Sequence, residues 1–353
     1  MHDLWRQLHI DEDRLQRLIV LAKEEDLGAA GDITTQAVSA QQSAISGQGS
    51  AQIVSRADGV ICGLSIAPFI LTAYDAKLRL ETSEVSDGDR VTADTILGTI
   101  RGERCSILSS ERVALNFMQH LSGIATQTRR FVEAVAGTDA RIYDTRKTTP
   151  GWRDLEKYAV RCGGGHNHRL GLHDAILVKD NHLAGVPLDR LAQRAFEILN
   201  EVSNLSDREQ QSVQRAAGLS PRDARRVEGS RQSKHTAQEQ WHTPERTAQE
   251  STAAGSAAFV EFEVDSLEQF GELLKVVGID VILLDNFPLL DLRRAVETRD
   301  RQGLKDKLEL EASGGITLHT VRPIAETGVE RISVGALTHS AAAMDISLEF
   351  GSP

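Results

Sequence analysis

From residue 141 onward the chain repeats one pattern. A short apolar run is followed at once by polar residues or glycine. Ile142-Tyr143 leads to Asp144 through Lys147. Ala175-Ile176-Leu177-Val178 leads to Lys179-Asp180-Asn181. Phe259 through Val264 carries Glu261 and Glu263. Val281-Ile282-Leu283-Leu284 leads to Asp285-Asn286, Leu308 through Ala312 to Ser313-Gly314-Gly315, and Ile332-Ser333-Val334 to Gly335. Helical periodicity fills most intervals, at 188–199, 265–277, 288–299 and 317–327. Strands alternating with helices predict a parallel sheet. Polar residues at the C-terminal strand ends predict an α/β barrel with its site on that face. Only six such strands are found, so the barrel is expected to be incomplete.

The earlier part of the chain is patterned differently. Leu15, Leu18, Ile19 and Ala22 recur at helical spacing and predict an amphipathic helix over 11–26. Residues 47–108 hold short apolar runs between turn residues such as Ser86-Asp87-Gly88-Asp89. They predict a small α+β domain with a mostly antiparallel sheet. A helix over 109–136 should follow, with Ser109 or Ser110 as N-cap and Val113, Leu115, Phe117, Met118 and Leu121 buried. The domains expected are therefore 1–115, joined by the tail 342–353, and 116–341. Residues 201–256 interrupt the second with Gln, Ser, Arg, Glu and Ala. They have too few apolar residues to offset the entropy of ordering, and a disordered insertion is expected there.

Lys+Arg is 40 and Asp+Glu is 51, a formal charge of −11. This argues against general affinity for nucleic acid or anionic membranes. No signal-like h-region and no membrane-length apolar run is present. Cys62, Cys105 and Cys162 are odd in number and far apart, so the reducing cytoplasm is the expected compartment.

Against this acidic background, residues 144–182 are basic and rich in glycine. Arg146, Lys147, Arg153, Lys157, Arg161, Arg169 and Lys179 lie there, with His166, His168 and His173 between them. Such text suits small anions. Arginine forks pair carboxylates bidentately, and lysines act as point charges for phosphate. Glu263 and Asp285 form an acidic counterpart for Mg²⁺ or ribose hydroxyls. The glycines after the last two strands allow close backbone approach of a phosphate. His166-Asn167-His168 has the spacing of metallohydrolase barrels. It precedes the run at 175–179 instead of ending a strand, so no transition metal is expected.

The text Asp144-Thr145-Arg146-Lys147-Thr148, Gly163-Gly164-Gly165-His166-Asn167-His168-Arg169 and Lys179-Asp180-Asn181-His182 resembles the quinolinate phosphoribosyltransferases. The likeness extends to Gly31-Asp32-Ile33-Thr34-Thr35, Ser110 through Asn116, Glu261 through Val264, Leu284 through Phe287, Ser313-Gly314-Gly315-Ile316 and Ser333 through Thr338. The resemblance implies an incomplete α/β barrel behind an N-terminal sandwich-like domain. It implies transfer of phosphoribosyl from phosphoribosyl pyrophosphate to quinolinate, with Mg²⁺ and loss of CO₂. Arg112 on its own reads as a surface arginine; the resemblance makes it a substrate ligand across a homodimer interface. With Thr145, Arg146, His168 and Arg169 it would hold the dicarboxylate. Lys147 and Lys179 would be shared with pyrophosphate, and Glu263 and Asp285 would serve ribose and metal. Ser313, Gly314, Gly315, Ser333, Val334, Gly335 and His339 would hold the 5′-phosphate. Lys147, Glu263 and Asp285 are the expected catalytic residues. Two other readings stay open: transfer to another pyridine or azole, and a sensor that binds without turnover.

Overall fold

The computed structural model describes residues 10–41, 47–202 and 259–350. The insertion expected at 201–256 lies outside the described residues from 203 on. The chain packs as two compact units, Met1–Leu170 with Ser313–Pro353, and Gly171–Ala312.

The first unit opens on α1 (Glu12–Leu27), which buries Leu15 and Ile19. The Asp11 carboxylate accepts the Arg14 N–H at 3.0 Å and caps it. α2 (Ile33–Gln41) follows. β1 (Gln48–Ser55), β2 (Gly59–Val60), α3 (Ala67–Tyr74), β3 (Arg79–Thr82), β4 (Arg90–Val91) and β5 (Ile96–Glu103) make the antiparallel part. β1 pairs with β5 through a register shift at Ile53/Val54, and β5 pairs with β3.

α4 (Arg104–Ala134) starts five residues before the expected 109. The physical reason is a different cap. The Glu103 carboxylate accepts the Ser106 N–H at 3.0 Å, so Ser109 and Ser110 lie inside the helix. Val113, Phe117, Leu121, Ile124, Thr128 and Phe131 recur at three- and four-residue spacing and are buried. β6 (Arg141–Tyr143) and α5 (Arg153–Cys162) come next.

The second unit contains β7 (Ile176–Val178), α6 (191–202), β8 (Val260–Val264), α7 (Leu267–Leu273), β9 (Val281–Asp285), α8 (Leu289–Arg301) and β10 (Glu309–Ser313). Its strands are ordered β10-β9-β8-β7. β7–β8 and β8–β9 are parallel, with Val178 opposite Phe262 and Glu263 opposite Leu283.

The chain then returns to the first unit with α9 (Val321–Ala325), β11 (Arg331–Ser333), α10 (Ala336–His339) and β12 (Ile346–Phe350). β11 pairs with β6 in parallel, Tyr143 opposite Ser333. β12 pairs antiparallel with β1 and joins the sheet β12-β1-β5-β3. All six apolar runs of the repeat form strands. Among the described residues no helix is long and apolar enough to cross a membrane.

Candidate active site

In the first unit the site grows from the end of β6. Ile142 and Tyr143 are buried, so the strand anchors the polar residues that follow it. The Val334 N–H donates to the Tyr143 carbonyl at 2.9 Å and continues the β6–β11 pairing by one residue. Beyond it the chain turns: Lys147 N–H donates to Thr145 Oγ1 at 3.1 Å and Thr148 N–H to the Arg146 carbonyl at 2.9 Å. The Thr338 hydroxyl of α10 donates to the Lys147 carbonyl at 2.8 Å. The backbone of Arg146 and Lys147 is thus tied down while both residues stay exposed.

Lys147 and His339 meet over Gly335. A Cβ there would lie 3.1 Å from both Lys147 Cδ and His339 Nε2. The turn is braced again from α5. Buried Glu156 accepts the Thr149 N–H at 3.1 Å and bonds His120 Nε2 at 2.9 Å. Arg153 donates to Thr148 Oγ1 at 3.1 Å and to the Leu170 carbonyl at 3.2 Å.

His168 and Arg169 come from the segment after α5. Gly163 allows that segment to lie on α4, since a Cβ there would sit 2.5 Å from the Ala125 carbonyl oxygen. The segment then pairs along β6: His166 N–H donates to the Ile142 carbonyl at 2.8 Å and Asp144 N–H to the His166 carbonyl at 3.0 Å. This isolated bridge, Tyr143 with His166, is too short to leave a periodic signal in sequence. His168 and Arg169 are both buried. The Arg169 N–H donates to His168 Nδ1 at 2.8 Å. Nδ1 acts as the acceptor in this bond, which puts the ring proton on Nε2.

Asp144 lies fully buried beneath these residues. Its carboxylate accepts from Lys157 Nζ, from His168 N–H at 2.9 Å and from Asn167 Nδ2 at 2.6 Å. Burial pushes the carboxyl up, and Lys157 and the other donors pull it back in part.

The remaining first-unit residues lie on separate elements. Gly314 and Gly315 follow Ser313 with φ of +97° and +59°, a left-handed pair that L side chains rarely adopt. Ser333 and Val334 are buried at the end of β11. Arg112 is exposed on α4.

The second unit carries the other three residues at the ends of β7, β8 and β9. Lys179 Nζ lies 2.5 Å from Glu263 Oε2. Glu263 is level with Leu283, and alternation puts Asp285 on the same face two residues on. Asp285 Oδ2 accepts from Asn286 Nδ2 at 2.7 Å. Glu263 and Asp285 are thus oxygen donors at adjacent strand ends, which suits a hard divalent cation.

Sequence reasoning missed which charges are buried in each unit. Asp144, Lys157, Glu156, Glu261 and Glu311 are all fully or almost fully buried. Lys157 was legible only as one basic residue among seven. Its three-residue spacing to the apolar Val160 could have flagged a buried face.

Two family descriptions match. The quinolinate phosphoribosyl transferase N-terminal domain matches residues 32–122 and the C-terminal domain residues 124–214 and 236–349. A nicotinate-nucleotide pyrophosphorylase (carboxylating) of Mycobacterium leprae is 37% identical over 343 residues, 96% of this chain and 97% of that one. A quinolinate phosphoribosyltransferase (decarboxylating) of Nicotiana tabacum is 34% identical, over 95% of this chain and 82% of its own. The solved nicotinate-nucleotide pyrophosphorylase of Francisella tularensis superposes with a TM-score of 0.72 at 30% identity. It covers 97% of this chain and 98% of its own. The two domain matches, and a relative 37% identical over 96% of the chain, show that the chain belongs to the quinolinate phosphoribosyltransferase family.

Proposed function

We propose that this chain joins quinolinate to phosphoribosyl pyrophosphate, giving nicotinate mononucleotide, pyrophosphate and CO₂ on the way to NAD. The observation that carries the reading is the first-unit cluster. Arg146, Lys147, His168 and Arg169 are held by their backbones on loops that converge at the end of β6. Such an array suits a ligand with two carboxylates, because each buried oxyanion needs a partner.

The pyridine nitrogen attacks the ribose C1 as the C1–O bond to pyrophosphate breaks. The 2-carboxylate then leaves as CO₂, its electron pair stabilised by the cationic ring nitrogen, and C2 takes a proton from water. No covalent enzyme nucleophile is required. The protein supplies orientation and preorganised charge. Arg146, His168 and Arg169 with Thr145 grip the dicarboxylate, and Arg112 reaches it from the second subunit of a homodimer. Lys147 and Lys179 balance charge on the carboxylates and pyrophosphate. The Ser313-Gly314-Gly315 and Ser333-Val334-Gly335 turns with His339 take the 5′-phosphate.

Glu263 and Asp285 fit Mg²⁺ and ribose hydroxyls by their chemistry. Lys179 already holds one Glu263 oxygen, which favours coordination through water and pyrophosphate over a closed protein cage. Bound Mg²⁺ would stabilise the charge of the departing pyrophosphate. Free Cys62, Cys105 and Cys162 fit work in the reducing cytoplasm.

Carboxyl-labelled quinolinate, phosphoribosyl pyrophosphate and Mg²⁺ test the reading, with and without EDTA. CO₂ released in step with nicotinate mononucleotide and abolished by EDTA is the expected result. Tight quinolinate binding without CO₂ would favour a sensor. Neither binding nor turnover would point to a different acceptor.

A further inference from the structure

We propose that Asp144, paired with Lys157, is the positioning residue that aims His168 and Arg169 at the two carboxylates of the acceptor. The proposal rests on the functional reading above and extends it beneath the ligand-binding residues.

Both members of the pair are fully buried. Taking two charges out of water costs several kcal/mol each, and an apolar pair of similar volume is often as stable or more so. Stability alone therefore gives little reason for an ion pair here. The contacts give another. Asp144 Oδ1 accepts the His168 N–H at 2.9 Å, and Lys157 Nζ donates to the His168 carbonyl at 3.1 Å. One ion pair thus holds both backbone polar groups of one residue. Asn167 closes the arrangement, donating to Asp144 Oδ2 at 2.6 Å and to the Lys157 carbonyl at 2.9 Å. Arg161 Nη1 in turn donates to Asn167 Oδ1 at 2.5 Å.

The grip passes outward in two steps. With the His168 backbone fixed, the Arg169 N–H is placed to donate to His168 Nδ1 at 2.8 Å. That bond sets the ring and leaves Nε2–H as the donor. It also ties down the Arg169 backbone that carries the guanidinium side chain. A carboxylate ligand then meets an imidazole and a guanidinium carried on a fixed backbone. Asp144 and Lys157 cancel in charge, so their effect on the ligand acts through geometry.

The test is binding of quinolinate, nicotinate and phosphoribosyl pyrophosphate by calorimetry. It uses the full chain as wild type, D144N and the double variant D144N/K157M, with Tm measured for each. In D144N the Kd for quinolinate should rise about tenfold or more. That is the scale seen when the partner orienting a metal-ligating histidine is removed. The Kd for phosphoribosyl pyrophosphate should stay within about twofold of wild type. The preference for quinolinate over nicotinate should fall. The double variant leaves no unpaired buried charge, so it should recover Tm without recovering quinolinate affinity. If D144N does not fold, the double variant carries the same readouts. Quinolinate binding within about twofold of wild type in either folded variant overturns the proposal. Equal weakening of all three ligands along with Tm also overturns it, since that marks a purely structural role. Wild type that binds phosphoribosyl pyrophosphate but not quinolinate overturns the functional reading, and this proposal with it.

Discussion

Lys179 Nζ lies 2.5 Å from Glu263 Oε2, joining the end of β7 to the end of β8. The lysine side chain is 44% exposed and the glutamate 11%. An ion pair with one partner in solvent adds only about 0–1 kcal/mol to stability. Its value lies in placing an ammonium beside a carboxylate at two strand ends. Lys179→Met should therefore lower turnover by about 10²-fold, the scale of losing one preorganised donor. Its midpoint in urea should move little. A large drop in stability with normal turnover per folded molecule would reassign the pair to the fold.

Arg146 is exposed, and its backbone is held by Thr148 at 2.9 Å. Arg146→Ala should cost about 10²-fold or more in kcat/KM for quinolinate with an unchanged Tm. A loss below about threefold would remove Arg146 from the mechanism.

Gly335 sits where Lys147 and His339 converge, each 3.1 Å from the position a Cβ would take. Gly335→Ala should press both side chains outward by a few tenths of an ångström. The expected result is a rise of about tenfold in KM for phosphoribosyl pyrophosphate, since displacement of positioning groups is costly. The Kd for quinolinate should change less. Equal effects on the two substrates would argue that Gly335 is not at the phosphate end.

Asp32 caps α2. Its carboxylate accepts Thr35 N–H at 2.8 Å, Thr35 Oγ1 at 2.5 Å and Ser109 Oγ at 2.8 Å. Partial burial pushes the carboxyl up, but these bonds outweigh it and hold it below its ordinary 3.8. A carboxylate with a depressed folded value stabilises the protein above its unfolded value. That contribution is lost as pH falls through the folded value. Asp32→Ala should cost about 0.5–2 kcal/mol near neutral pH. The gap to wild type should narrow in acid, as pH falls through that lowered folded value. Denaturant titrations near neutral pH and in acid decide it; a gap that persists in acid contradicts the assignment.

EDTA should abolish turnover while leaving quinolinate binding intact, because the dicarboxylate is assigned to Arg146, His168 and Arg169 and the metal to Glu263 and Asp285. Calorimetry with and without EDTA separates the two. Loss of quinolinate affinity on chelation would place the metal among the groups that hold the acceptor.

Much of this was legible in the sequence. Six apolar runs, each closed by polar residues or glycine, named the strands and put Lys147, Lys179, Glu263 and Asp285 at their ends. A strand buried by packing must be apolar, and its end is where polarity can resume, so the pattern is local. Boundaries were less legible. α4 begins at Arg104 because the Glu103 side chain turns back to Ser106, and serines at 109 and 110 gave an equally good cap by composition.

The sequence by itself determined the order of elements and the kinds of side chain at each strand end, because both follow from short-range alternation of apolar and polar positions. Tertiary structure alone decided which charges are buried and what they hold. Asp144 and Lys157 are 13 residues apart, and in the sequence they read like their exposed neighbours Arg146 and Lys147. Tertiary packing, including that of α5 on α4 and the pairing of His166 with Tyr143, removes water from the first pair and leaves it around the second. Desolvation is set by everything that surrounds a group, so no local pattern carries it.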